Sequence, residues 1–219
     1  MRFNLPPVTL SLLVVNVAIF LIMLGGGQEW LIAYAALWPF GPQHLAGYTA
    51  GGAPIMVGFQ VWQLVTYAFL HGGWAHIGFN MLALYMFGAS IENLFGGRHF
   101  LFYYLFCAVV AALAHLAVVY FFTGGFYPTL GASGAIFGLL LAFGMLYPHA
   151  KIIVLILPIP MPAWLAVIGY MLLELFLGVT GTQAGVAHFA HLGGAVGGFV
   201  LLQYWRGKLP IKPRWTLFR

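Results

Sequence analysis

Aspartate does not occur in this sequence, glutamate occurs three times (Glu29, Glu92 and Glu174), and charged residues of every kind make up only 5% of 219. With 63% hydrophobic residues and a mean hydropathy of +1.00, a soluble domain of this size would have no surface that water could wet. The solvent must be mostly lipid. The single cysteine, Cys107, lies in an apolar run; it excludes an internal disulfide and reads as core packing. The roughly ten-residue alternating strands of a transmembrane barrel are also missing, since Met81 to Phe87 and Phe100 to Phe122 are apolar on every side. No P-loop lysine follows Gly25-Gly26-Gly27 or Gly51-Gly52, which read as loop punctuation and not as phosphate cradles.

What is present is a series of apolar runs long enough to cross about 30 Å of hydrocarbon. Breaks at glycine, proline and charge give six spans, near 8–24, 75–94, 99–122, 132–147, 162–178 and 187–205, in one membrane domain over 1–219. The expected class is therefore an all-α membrane protein. Arg2 before the first run imitates a secretory signal, but no small-residue cleavage site precedes a soluble domain, so the run is kept as a span. The few residues before it leave no room for a transit peptide or sensor domain, and the expected address is the cytoplasmic membrane of a bacterium.

With the N-terminus inside, every Lys and Arg falls on the cytoplasmic side: Arg2, Arg98, Lys151, Arg206, Lys208, Lys212, Arg214 and Arg219. Both termini are then cytoplasmic, and the basic tail suits anionic head groups better than nucleic acid. The first outward segment, 25–74, is rich in Trp, Pro and Gly with Glu29 as its only charge; it is expected to lie partly in the outer leaflet. Three prolines in the last five residues of Lys151 to Pro162 predict an interfacial turn.

Polar groups inside a membrane are costly, so their placement carries the functional signal. His76 and Asn80 share one face of the second span, Ser133 stands in the first turn of the fourth, and His188 and His191 open the sixth, all near one depth from the outer boundary. The first turn of a helix favours developing negative charge. Gly134 and Gly138 form a GxxxG pair below Ser133, as do Gly194 and Gly198 below His191, so the two helices can approach closely at matching heights. Without aspartate a Ser-His-Asp triad is excluded, which predicts a Ser133–His191 dyad with His76, Asn80 and the Ser133 N–H as oxyanion donors. Glu174, about one turn from the outer end of the fifth span, is expected as a protonated, hydrogen-bonded carboxyl; a link to a side gate is a further reading. His71 and His188 read as structural, His44, His99 and His149 as loop residues, and His115 as bonding a neighbouring helix.

Gly131-Ala132-Ser133-Gly134, Ala190-His191-Leu192-Gly193-Gly194 and His76-Ile77-Gly78-Phe79-Asn80, in this order on these spans, resemble the rhomboid family of intramembrane serine proteases in its basic six-helix form. The resemblance covers nearly the whole chain. It implies Ser133 as nucleophile, His191 as base, His76, Asn80 and the Ser133 amide as the oxyanion site, and no metal or cofactor. It also implies that Phe137 stands where relatives often place a Tyr packed under the catalytic histidine. Trp62-Gln63 replaces a frequent Trp-Arg, which questions any loop anchoring by the arginine. The implied substrates are transmembrane segments of other proteins, cut near their outer ends, with the short fifth span as side gate and 181–185 as a cap.

Three other readings make different demands. A non-catalytic rhomboid-like protein that binds membrane clients predicts loss of Ser133 or His191, and both are present. A transporter predicts inverted repeats and a polar path through both leaflets, whereas the inner halves of these spans are apolar. A metalloprotease predicts HExxH, which is missing, and no carboxylate lies near His188 or His191 in sequence.

Overall fold

The computed structural model describes residues 5–49, 51–154, 157–181, 187–213 and 215–217. Helix α1 (Pro7–Ile22) starts with proline, whose missing N–H is no loss in a first turn. The free N–H groups that follow are bound by a carboxylate from another helix: Glu92 accepts from Val8 N (2.9 Å), Thr9 N (2.6 Å) and Thr9 Oγ1 (2.7 Å). At Met23–Gly27 the chain widens into a π-type turn, and Gly26, at φ 105°, bends it into α2 (Gln28–Ala35). The triple glycine is thus a kink between two helices and not the start of a loop, because only Gly tolerates that φ cheaply.

The rest of the first outward segment is built, not loose. Strands β1 (His44–Tyr48) and β2 (Pro54–Val57) pair antiparallel, and α3 (Gln63–Thr66) runs into a tight turn at Tyr67–Phe69. Buried Gln63 ties these pieces together: its Oε1 accepts from Trp38 N (3.2 Å) and Gln60 N (3.1 Å), and its Nε2 donates to the Gly58 carbonyl (3.2 Å). The neutral amide therefore anchors the segment through four-way donor and acceptor capacity that an arginine lacks.

Next come α4 (Trp74–Ala83) and α5 (Ala89–Phe95), joined without a break by a π-type turn at Leu84–Gly88, and then α6 (Gly97–Val118), prolonged by another at Val119–Thr123. Helices α7 (Ser133–Leu146), α8 (Ala163–Thr180) and α9 (His188–Trp205) follow. Between α7 and α8 the proline-rich stretch forms a short antiparallel ribbon, β3 (Lys151–Val154) with β4 (Leu157–Pro162), in place of a plain turn. Two-stranded ribbons have only edges, where missing N–H groups are tolerated. The expected all-α class is thus modified by two small ribbons. Among the described residues, three helical stretches are long and apolar enough to cross a membrane: Pro7–Ala35, Gly97–Thr123 and Ala163–Thr180.

The centre of the core is α6, whose Phe100, Tyr103, Tyr104, Cys107, Ala108, Ala111 and Ala112 are buried. Its small residues let α7 and α9 settle close against it. Hydroxyls pin the packing: Tyr103 donates to the Gly138 carbonyl (2.9 Å) and Tyr67 to the Ala108 carbonyl (2.8 Å). Helix α8 lies at the rim against α7 and α9, with Leu165, Ile168, Leu172, Leu173, Phe176 and Val179 exposed, an outward face suited to lipid.

Candidate active site

The glycines on α7 and α9 meet face to face. A Cβ on Gly194 would fall on the Gly134 carbonyl, one on Gly138 would stand 3.1 Å from the Gly194 carbonyl oxygen, and one on Gly198 would stand 3.1 Å from the Gly138 Cα. Backbone contact of this kind places the first turns of the two helices side by side. Ser133 opens α7 and His191 lies in the first turn of α9, and His191 Nε2 is 2.8 Å from Ser133 Oγ.

The approach to Ser133 is held by backbone. Thr129 and Leu37 exchange N–H···O bonds of 2.9 Å each, and Gly131 N donates to the Tyr67 carbonyl at 3.0 Å. His115 joins this segment through its Nε2, 2.7 Å from Thr129 Oγ1, so its partner is a loop residue and not a neighbouring helix. Gly131 has φ 131°, and a Cβ there would be 2.7 Å from His76 Nε2 and 3.6 Å from Ser133 Oγ. Glycine is required twice over at this position, by conformation and by space.

His76 Nδ1 accepts from Gly72 N at 3.3 Å, which puts the ring proton on Nε2, the nitrogen beside Gly131. Asn80 is buried, and its Nδ2 donates to the His76 carbonyl at 2.9 Å, which engages one of its two amide protons. His71 is buried with its ring edge-on to His76, centroids 5.0 Å apart. Phe137 stacks flat on His191, with centroids 4.4 Å apart and planes 4° apart.

Glu174, expected as a protonated carboxyl, comes from α8 to the same point and stands there as an acceptor for two histidines. Its Oε2 accepts from His188 Nδ1 at 2.6 Å and from His191 Nδ1 at 2.9 Å, and both Glu174 and His188 are buried. No carboxylate is near these histidines in sequence, but one is near in space. The missing aspartate excludes a Ser-His-Asp set without excluding Ser-His-Glu, and the expectation of an isolated pair overlooked this. Sequence spacing held one signal, an intramembrane acid at the depth of two intramembrane histidines.

Glu174, His188 and His191 offer ligand atoms within 4.8 Å of one another, a set that could in principle hold a cation. A tetrahedral zinc, with bonds of about 2.0–2.2 Å, keeps its ligand atoms about 3.3–3.6 Å apart. Separations of 2.6 and 2.9 Å to one shared oxygen are instead those of charge-assisted hydrogen bonds. The proposed cap at 181–185 falls, apart from Gly181, outside the described residues.

A family model described as Rhomboid domain matches residues 58–207. Rhomboid protein 1, mitochondrial, of Saccharomyces cerevisiae is 36% identical over 162 residues, covering 67% of this chain and 42% of the yeast protein. Rhomboid protease GluP of Bacillus subtilis is 33% identical over 141 residues, covering 63% of this chain and 25% of that protein. Presenilin-associated rhomboid-like protein A, mitochondrial, of Danio rerio is 34% identical over 165 residues, covering 71% of this chain and 42% of the fish protein. This chain thus spans less than half the length of these relatives. Two of the three carry mitochondrial names, so the expectation of a bacterial cytoplasmic membrane finds no support in them. Apolar helices and family likeness together make this an integral membrane protein, and the chain belongs to the rhomboid family.

Proposed function

We propose that this chain is an intramembrane serine endopeptidase that hydrolyses peptide bonds in or near the transmembrane segments of other membrane proteins, with Ser133 as nucleophile and His191 as general base. The observation that carries this reading is the 2.8 Å contact between His191 Nε2 and Ser133 Oγ at the start of α7. In the reaction Ser133 Oγ bonds to the scissile carbonyl carbon while its proton passes to His191 Nε2 and the carbonyl electron pair moves to oxygen. The Ser133 N–H, His76 Nε2–H and the second Asn80 amide proton are the donors available to that oxyanion. Collapse breaks the C–N bond, and the amine leaves with the proton held by His191. Water then cleaves the acyl-serine by the same route, and neither metal nor cofactor is needed.

The architecture belongs to the same proposal: one membrane domain of six crossings, with α4–α5, α7 and α9 counted beside the three long helices, and both termini on the side of the Lys and Arg. At 14 residues α7 rises about 21 Å, less than the about 30 Å of hydrocarbon, so Ser133 lies below the membrane surface with water reaching it from the outer side. Exposed Trp30, Tyr48 and Val61 suit a first outward segment resting in the interfacial layer. The substrate helix must unwind before attack, because its own hydrogen bonds cover the scissile bond.

The test is cleavage of a single-span reporter with a helix-weakened outer end, in liposomes, by wild type, Ser133→Ala and His191→Ala. Wild type is expected to cut and each variant to lose on the order of 10⁴-fold or more in kcat. Equal cutting by all three would refute the assignment. If none cuts and a fluorophosphonate probe leaves Ser133 unlabelled, the client-binding alternative replaces it.

A further inference from the structure

We propose that Glu174 is a positioning residue of this reaction, its carboxylate holding the His191 ring in the tautomer and orientation that receive the Ser133 proton. The inference rests on the function proposed above and turns a two-residue device into a three-residue one assembled from α7, α8 and α9.

One atom on each side of the imidazole sets the geometry. Glu174 Oε2 stands 2.9 Å from His191 Nδ1, and Ser133 Oγ stands 2.8 Å from His191 Nε2. A carboxylate oxygen accepts and does not donate. With Glu174 in place, Nδ1 therefore carries the ring proton, and the lone pair is on Nε2, facing the hydroxyl that must lose its proton. Without that acceptor the neutral ring is free to carry its proton on Nε2, where it can take nothing from Ser133. When the proton arrives, the imidazolium has a carboxylate 2.9 Å away in surroundings largely free of water, so the new charge is met where it forms. Glu174 gains no proton; the proton stays on His191 Nε2 until the leaving amine takes it.

Two neighbours make this arrangement stiff. His188 Nδ1 donates to the same Oε2 at 2.6 Å from the other side, so the carboxylate cannot swing away from His191. Phe137 lies flat against the ring and prevents it from tilting. The ring is thus restrained at both nitrogens and on one face. A role in helix adhesion alone would call for a polar contact anywhere along α8; it does not explain why a single oxygen bridges the base and a second histidine.

The experiment uses the full chain in liposomes with the single-span reporter and compares wild type, Ser133→Ala, Glu174→Gln and Glu174→Leu, with the thermal midpoint of each in detergent. Gln keeps the shape and loses the charge, and Leu suits a membrane helix at least as well as Glu. Both variants are expected to hold their midpoint within a few degrees and to lose on the order of 10²–10⁴-fold in kcat with KM within about twofold of wild type. Nitrogen-15 NMR of the histidines should show His191 with its proton on Nδ1 in wild type and a mixture of tautomers in Glu174→Gln. Cleavage by Glu174→Gln and Glu174→Leu within about threefold of wild type, beside an inert Ser133→Ala, overturns the inference and leaves the protease reading standing. Undiminished cleavage by Ser133→Ala overturns both.

Discussion

Gly194→Ala tests whether the contact of α7 with α9 sets the reacting distance. The added Cβ would overlap the Gly134 carbonyl, and ordinary contact begins at 3.4 Å, so the helices must part by about an ångström or more at this level. The Ser133–His191 bond lies one turn away and has little slack: lengthened from 2.8 Å by that amount, it passes the limit of a hydrogen bond. A displacement of this size is expected to reduce kcat about 10²-fold, and overpacking of a tight interface to cost about 1–3 kcal/mol of stability. Reporter cleavage in liposomes reads the first effect and the thermal midpoint in detergent reads the second. A Gly194→Ala protein with wild-type rate and midpoint would refute the claim that backbone contact here brings the two residues together.

Stacking on His191 is expected to reside in the ring of Phe137: Phe137→Ala should cut up to about tenfold more slowly, as follows from an aromatic contact of about 0.5–1.5 kcal/mol, while Phe137→Tyr should stay within about threefold. Equal loss in both variants would show that the ring contact is not what matters. Gln63→Ala leaves the Trp38 and Gln60 N–H groups without their acceptor and should cost about 2–3 kcal/mol, seen as a lower thermal midpoint and faster amide exchange at Trp38; unchanged exchange there would refute its anchoring role.

The residues of the candidate site can be picked out in the sequence because intramembrane polar groups are few. Ser133, His191, His76 and Asn80 stand near helix starts, where sequence alone aligns them by depth, and the paired glycines indicate which helices touch. Glu174 was not legible in the same way. Its contacts are with residues 14 and 17 positions on, across a helix interface, and only the crossing of α8 with α9 turns one side of α8 toward His191. Gly25-Gly26-Gly27 looked like the start of a loop because glycine runs commonly are; the structure uses one positive φ there and keeps helix on both sides. The proline-rich stretch after α7 defeats a helix, as its composition predicts, but proline content alone does not distinguish a turn from a ribbon that has only edges.

The pairing of Leu37 with Thr129 has a consequence for how this protein can be divided. The match to the family model begins at residue 58, and a fragment cut to 58–207 would retain Ser133, His191, Glu174, His76 and Asn80. It would lose Leu37, whose paired backbone bonds to Thr129 fix the segment leading into Ser133, together with the Trp38 and Tyr34 backbone groups that meet Gln63. Glu92 would lose the α1 N–H groups it now serves. The first 57 residues therefore supply part of the scaffold around the candidate site, and the unit that holds this site together is longer than the stretch the family model matches.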